Sequence, residues 1–180
     1  MRQTRTPSGR PAAGEYGPHA EADIALVAGD DAAEALAAQE RLLPDLLRGL
    51  DDGRVDGLRY APGKWTVKEV VGHMADDERI FVYRALCIAR GDAKPLESFD
   101  EQRYVAGANF EGRGLADLLG EYDLVRRSSI ALFESLAGDA WLRRGTVAGY
   151  SATVRGLAFH IAGHELHHLR ILRERYLRSG

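Results

Sequence analysis

The chain has 180 residues, 45% apolar and 28% charged, a mixture that suits one globular domain with a substantial core. Its net charge of -3, with no basic block, argues against nucleic-acid binding through phosphate contacts. One cysteine, Cys87, excludes an intrachain disulfide framework and fits a reducing cytoplasm, and no apolar run approaches the roughly 20 residues of a membrane-spanning helix.

Residues 1–20 hold three prolines, several glycines and few large apolar groups, so a mobile tail is expected there, followed by a single domain over 21–180. Arg2, Arg5 and Arg10 are not followed by an apolar stretch, which does not fit a secretory signal. From Asp31 the pattern turns helical, with Leu36, Leu43, Leu47 and Leu50 on one face and a kink or restart at Pro44. The second helix is the clearest. Thr66 and Glu69 form a capping box, Val67, Val70, Met74, Phe81, Ala85 and Ile88 line one face, and Gly91 is placed to end it. Residues 92–113 form a long connection, and its Phe99 to Phe110 part is expected to cover the end of the bundle near any site there. A third helix is expected from about Leu115 to Leu136, closed by Gly138. A Gly-containing connector follows from Trp141 to Ser151, briefly extended at Thr146, and a last helix runs from near Thr153 to about Leu177. Four long helices predict an all-α fold, a four-helix bundle, whose interior is a usual place for metal sites.

Four of the six histidines fall in the last helix: His160, His164, His167 and His168. Imidazoles four residues apart stack one turn above the other and can converge on one metal from a rigid wall. On the helical wheel His168 lies inside the apolar arc set by Val154, Leu157, Ile161, Leu172 and Tyr176, and His164 lies at its border. His160 reads as a boundary residue and His167 as solvated. The only other histidine outside the tail is His73, beside the apolar face of the second helix; His19 is set aside with the tail. His73, His164 and His168 are therefore the predicted ligands of a divalent transition metal. Asp77, one turn beyond His73, is either a fourth ligand or a carboxylate that orients an imidazole. Imidazole suits several metals, with zinc and nickel preferred here over iron and manganese.

The stretch from His164 to His168 also matches the H-E-x-x-H pattern of zinc proteases, with Glu165 as general base. Only 12 residues follow His168, none of them histidine, so the downstream ligand of such enzymes is missing. Glu165 falls on the apolar side of the wheel, where a hydrogen bond to an arginine or tyrosine of another helix is the leading expectation and a base role the weaker one.

Three stretches resemble the DinB-like family of the YfiT type: Pro62 to Arg79, Phe99 to Phe110 and His160 to His168. The resemblance spans about residues 32 to 177. It implies a four-helix bundle with up-down-down-up connectivity, a metal held by His73, His164 and His168, and frequent homodimers. Characterised relatives include S-transferases that use low-molecular-weight thiols such as bacillithiol, and mycothiol-dependent enzymes. The leading expectation is thus a metal-dependent S-transferase that joins such a thiol to an electrophile. A non-catalytic metal-containing binding bundle and a metal-dependent hydrolase are the alternatives. Arg79 and Arg84 are candidates for contacting an acidic thiol, against ion pairing with Asp77, Glu78 or Asp123. Cys87 lies 14 residues past His73, about 21 Å along a straight helix, too far to join the site, and Trp65 reads as a hydrophobic staple. An apolar stripe of Phe159, Leu166 and Leu177 facing away from the core supports the homodimer expectation.

Overall fold

Thr66 starts the longest helix as the sequence predicts. Its hydroxyl accepts from the Glu69 backbone N–H (3.2 Å), and the Glu69 carboxylate accepts from the Thr66 N–H (2.7 Å). The computed structural model describes residues 8–177 and contains eight α-helices and one hairpin among them. They are α1 (Glu21–Ile24), α2 (Ala32–Gln39), α3 (Leu42–Leu46), α4 (Asp52–Val55), α5 (Val67–Ala89), α6 (Glu101–Gly107), α7 (Leu115–Glu134) and α8 (Val154–Ile171), with β1 (Arg144–Val147) and β2 (Tyr150–Thr153) forming the hairpin. The first predicted helix is broken before Pro44 into α2 and α3, and Pro44 lies in the first turn of α3, where a missing N–H costs little. The last helix ends in one π-type stretch, Leu172–Tyr176.

Two apolar clusters fix the directions of the helices. The first joins Leu36, Phe81, Ile88, Phe133 and Leu157, and the second joins Leu43, Leu47, Val70, Met74, Leu118 and Leu169. The chain therefore passes from the first cluster to the second along α2–α3, returns along α5, returns the same way along α7, and comes back along α8. This is a four-helix bundle with up-down-down-up order. The parallel pair α5 and α7 explains the long connection between them, because a tight turn can join only antiparallel neighbours. Among the described residues no helix is long and apolar enough to cross a membrane.

The expected mobile tail is corrected from Ser8 onward; residues 1–7 of that expectation lie outside the described residues. Arg10 donates to the carbonyls of Ile24 (2.8 Å), Val27 (2.8 Å) and Gly29 (2.9 Å). Glu15 accepts from Thr153 Oγ1 (2.9 Å) and from Arg155 through two bonds of 2.6 Å. Two glycines of α8 make this docking possible. A Cβ at Gly156 would run into the Glu15 carbonyl, and one at Gly163 into the backbone of Asp23 and Ile24. Composition signals a tail, but charge-assisted bonds and close backbone approach hold this segment against α8. It also covers part of the stripe expected to form a dimer face. Phe159 is fully buried within the first cluster, under Arg10, and Leu166 and Leu177 pack partly buried inside the chain. That stripe no longer argues for a homodimer.

Arg155 holds the Glu15 carboxyl down to about 2, against an ordinary value of 4.5. A depressed folded-state value means that the stabilisation is present above the ordinary value and is lost as pH falls through the folded one. Glu15→Gln is therefore expected to lower stability by about 1–3 kcal/mol at neutral pH. Urea titrations should show that gap closing as pH falls from 4.5 toward 2. A gap constant over that range would contradict the role given to Glu15.

The connector after α7 folds into a true hairpin, paired Val147 with Tyr150 and Arg144 with Thr153. Its two turn residues, Ala148 and Gly149, both have positive φ (48° and 85°), as a type I′ turn requires. Leu96 pairs with Val147, tying the long connection to the hairpin. The connection holds α6, capped by Asp100, and returns to α5 at Phe110, whose ring fills the space a side chain at Gly72 would need.

Candidate metal centre

His73 lies on α5, and His164 and His168 lie one turn apart on antiparallel α8. The three rings converge. His164 Nε2 is 3.1 Å from His73 Nε2 and 3.0 Å from His168 Nε2. Among the described residues these three alone form a cluster whose ligand atoms all lie within 4.8 Å of one another. A tetrahedral ion with metal–nitrogen bonds of about 2.0–2.1 Å sets its ligand nitrogens about 3.3–3.4 Å apart, close to what is found.

The electrostatics favour the ligating form. Burial lowers the His73 ring to about 4. Burial, then the neighbouring His73 and His167, lower His168 to about 3. Burial and the surrounding histidines lower His164 well below its ordinary value. All three rings are neutral at pH 7, the state in which imidazole binds a metal. A neutral Nε2 carries either one proton or one lone pair, and three of them facing one point are best satisfied by a cation between them. The residues present fit a divalent metal of the zinc or nickel kind.

Asp77 is not a fourth member of the cluster. Its Oδ2 lies 3.4 Å from His164 Nδ1, within ion-pair reach but outside the alignment of a hydrogen bond. Of the two roles expected for it, this position leaves that of a carboxylate behind a ligand ring. Burial raises its carboxyl to about 8, against the pull of the Arg84 charge. Glu165 turns away from the metal into the bundle, where Arg126 of α7 donates to its Oε2 (2.5 Å). The same guanidinium donates three bonds of 2.9–3.1 Å to Glu78 of α5. The protease-like base role of Glu165 is corrected accordingly. Its carboxylate is held by Arg126, as the wheel suggested, and it is absent from the metal-facing cluster.

The ligand rings form one wall of a cavity of about 590 Å³. Trp65 flanks them, its ring 4.6 Å from His73, so this residue lines the site as well as packing at the start of α5. The covering role expected for the long connection is found in Ser98 to Gln102, which form the facing wall. His160 is a boundary residue as expected, its ring 4.3 Å from Phe81 and 6.2 Å from His164. His167 is only partly solvated, with Asp23 3.1 Å from its Nδ1. Arg84 lines the cavity, whereas Arg79 does not: Arg79 pairs with Asp76 (3.2 Å) and Glu121 (2.6 Å) on the surface, which removes it as a cofactor contact. Cys87 is outside the cavity.

Sequence reasoning missed His19, Asp23 and Tyr150, which also line the cavity. The His19 ring stacks edge-on with Tyr150 (5.6 Å) and His160 (5.5 Å). No local pattern announces them, because docking of the N-terminal segment and the hairpin brings them in. The available signal was the pair of glycines at 156 and 163, which leave α8 open to close backbone approach.

A search of curated protein sequences returned no match. Among solved structures the chain is similar to YfiT from Bacillus subtilis, described as a probable metal-dependent hydrolase with an unusual four-helix bundle topology. The two share 19% identity at a TM-score of 0.71, over 90% of this chain and 92% of that one. A family model for the DinB superfamily matches residues 35–172, which include all three clustered histidines and the helices that carry them. With the bundle order and the three-histidine centre in place, this match shows that the chain belongs to the DinB superfamily.

Proposed function

We propose that this protein is a metal-dependent hydrolase of small molecules. The observation that carries the reading is the set of three buried, neutral imidazoles meeting at a cavity wall rather than inside a closed core. A structural metal site is closed by four protein ligands, whereas three ligands beside a cavity leave room for a reactant. The description of the YfiT structure supports the same reading. Bound by these rings, a divalent metal would supply Lewis acidity and lower the pKa of a water or thiol brought to it. Asp77 stands behind the His164 ring, placed to orient it once a metal is bound, and Trp65 and Phe99 limit solvent around the substrate. In hydrolysis the water oxygen bonds to the electrophilic centre, the bond to the leaving group breaks, and a water proton passes to that group. No further reactant is required.

The cavity is also large enough for two organic reactants, and this favours a second reading: transfer of a low-molecular-weight thiol of the bacillithiol or mycothiol type to an electrophile. There a sulfur–carbon bond forms, the leaving group departs with its electron pair, and the thiol proton goes to solvent. Metal-loaded protein should be offered a panel of ester, amide and alkyl-halide substrates with and without thiols. Turnover without thiol, abolished in His164→Ala, is the expected result. Turnover that appears only when a thiol is added would overturn the hydrolase reading in favour of the transferase.

A further inference from the structure

Among the described residues two arginines are buried, Arg84 and Arg126, and they are treated very differently. Arg126, with 0% exposure, is clasped by the carboxylates of Glu78 and Glu165. Arg84, with 4% exposure, has no carboxylate within ion-pair distance among the described residues. Its one hydrogen bond goes to the Glu97 carbonyl (2.6 Å), and its guanidinium otherwise faces the rings of Phe81 (4.9 Å) and Phe99 (5.6 Å). Burying a guanidinium with no carboxylate at ion-pair distance is unfavourable, so such a charge persists where something other than folding needs it.

Its place indicates what that is. Arg84 lines the same cavity as the three metal ligands, on the side bounded by Tyr150 and His160. Tyr150 is close enough for the Arg84 charge to act on it, and its hydroxyl makes no hydrogen bond among the described residues. The nearest carboxylate on the same helix, Asp77, lies two turns back and is directed at His164. The others lining the cavity are Asp23, at His167, and Asp100 and Glu101, which follow the Glu97–Phe99 stretch that touches Arg84, with Asp100 engaged in capping α6. Of these carboxylates only Asp77 acts on the Arg84 charge, and it does so from beyond ion-pair distance.

We propose that Arg84 and Tyr150 form a subsite for a carboxylate on the substrate, which places the rest of the molecule toward the three histidines. A planar guanidinium fork matches a carboxylate through paired N–H donors, and the tyrosine hydroxyl adds a third. The inference rests on the reading of the cavity as a substrate site and narrows its substrates to small acidic molecules.

Isothermal titration of metal-loaded wild type, Arg84→Met and Arg84→Lys with glutarate, its neutral diamide and inorganic phosphate tests the subsite. Wild type should bind glutarate about 10-fold or more tightly than Arg84→Met, with Arg84→Lys between them and the diamide unaffected. Arg84→Met should also raise the thermal midpoint of the unliganded protein, because it removes a buried charge that has no carboxylate at ion-pair distance. That second readout shows the variant to be folded. Equal glutarate binding by wild type and Arg84→Met would overturn the proposal. Arg84-dependent binding of phosphate but not of glutarate would overturn the carboxylate assignment. Arg84-dependent glutarate binding without any hydrolysis would uphold the subsite and remove the hydrolase reading; hydrolysis of acidic substrates indifferent to Arg84→Met would do the reverse.

Discussion

Alanine in place of Arg126 is expected to lower folding stability by about 3–5 kcal/mol, a large part of what a domain of this size has. Arg126 is completely buried and ties α7 to both α5 and α8 through Glu78 and Glu165. Gln39, with its amide nitrogen turned toward Glu165, adds a donor at 3.0 Å and brings α2 into the same knot. Removing the arginine leaves two carboxylates facing each other without a cation, and burial already pushes Glu165 up. The loss therefore exceeds that of an exposed ion pair, which is worth about 0–1 kcal/mol. Urea unfolding checks it directly, and a change below about 1 kcal/mol would show that the pair contributes no more than a surface one. Replacing Glu78, Arg126 and Glu165 together by apolar residues of similar volume should recover most of the loss, since the penalty comes from the broken pair rather than from the absence of charge.

The second large effect concerns metal and stability together. The three clustered histidines come from two antiparallel helices, so a metal held there would join α5 to α8 and would bind the folded chain in preference to the unfolded one. With free zinc about 1,000-fold above its dissociation constant, this linkage stabilises by about 4 kcal/mol. Wild type should show that rise in unfolding free energy on zinc addition, and its loss on chelation. His73→Ala keeps both α8 histidines but removes the cross-helix link, and should lose most of the increment. Asp77→Asn leaves all three ligands in place and should weaken zinc binding by about 10–100-fold, the usual cost of removing a group that orients a ligand ring. Equal zinc stabilisation of wild type and His73→Ala would show that the metal does not bridge these helices.

Much of this site is legible in the sequence because it rests on local regularities. The Thr66–Glu69 capping box sets the start of α5 and so the phase of His73. The four-residue spacing of His164 and His168 places them on one face of α8. The wheel also separates the two candidate arginines, since Arg84 lies within about 20° of His73 and Arg79 about 120° away. Arg84 shares the strip of His73 and Asp77, and charge alone kept Arg79 beside it as a candidate. What could not be read depends on contacts between distant segments. Ala148 gives no hint of a positive φ, so the hairpin that delivers Tyr150 had no turn signature. The docking of Arg10, Glu15 and His19 depends on two glycines some 140 residues away in the chain (Glu15 and Thr153 are 138 apart), and composition alone made that segment a tail. The same docking buries Phe159, which on the wheel looked like an exposed dimer contact.

One metal ion held by His73, His164 and His168 underlies the proposed chemistry. Elemental analysis of purified wild type and His168→Ala, each loaded with zinc and passed through a desalting column, tests it most directly. The geometry predicts about one zinc per wild-type chain and little in the variant, because two remaining imidazoles make a weak site. Equal zinc in both proteins would contradict the assignment.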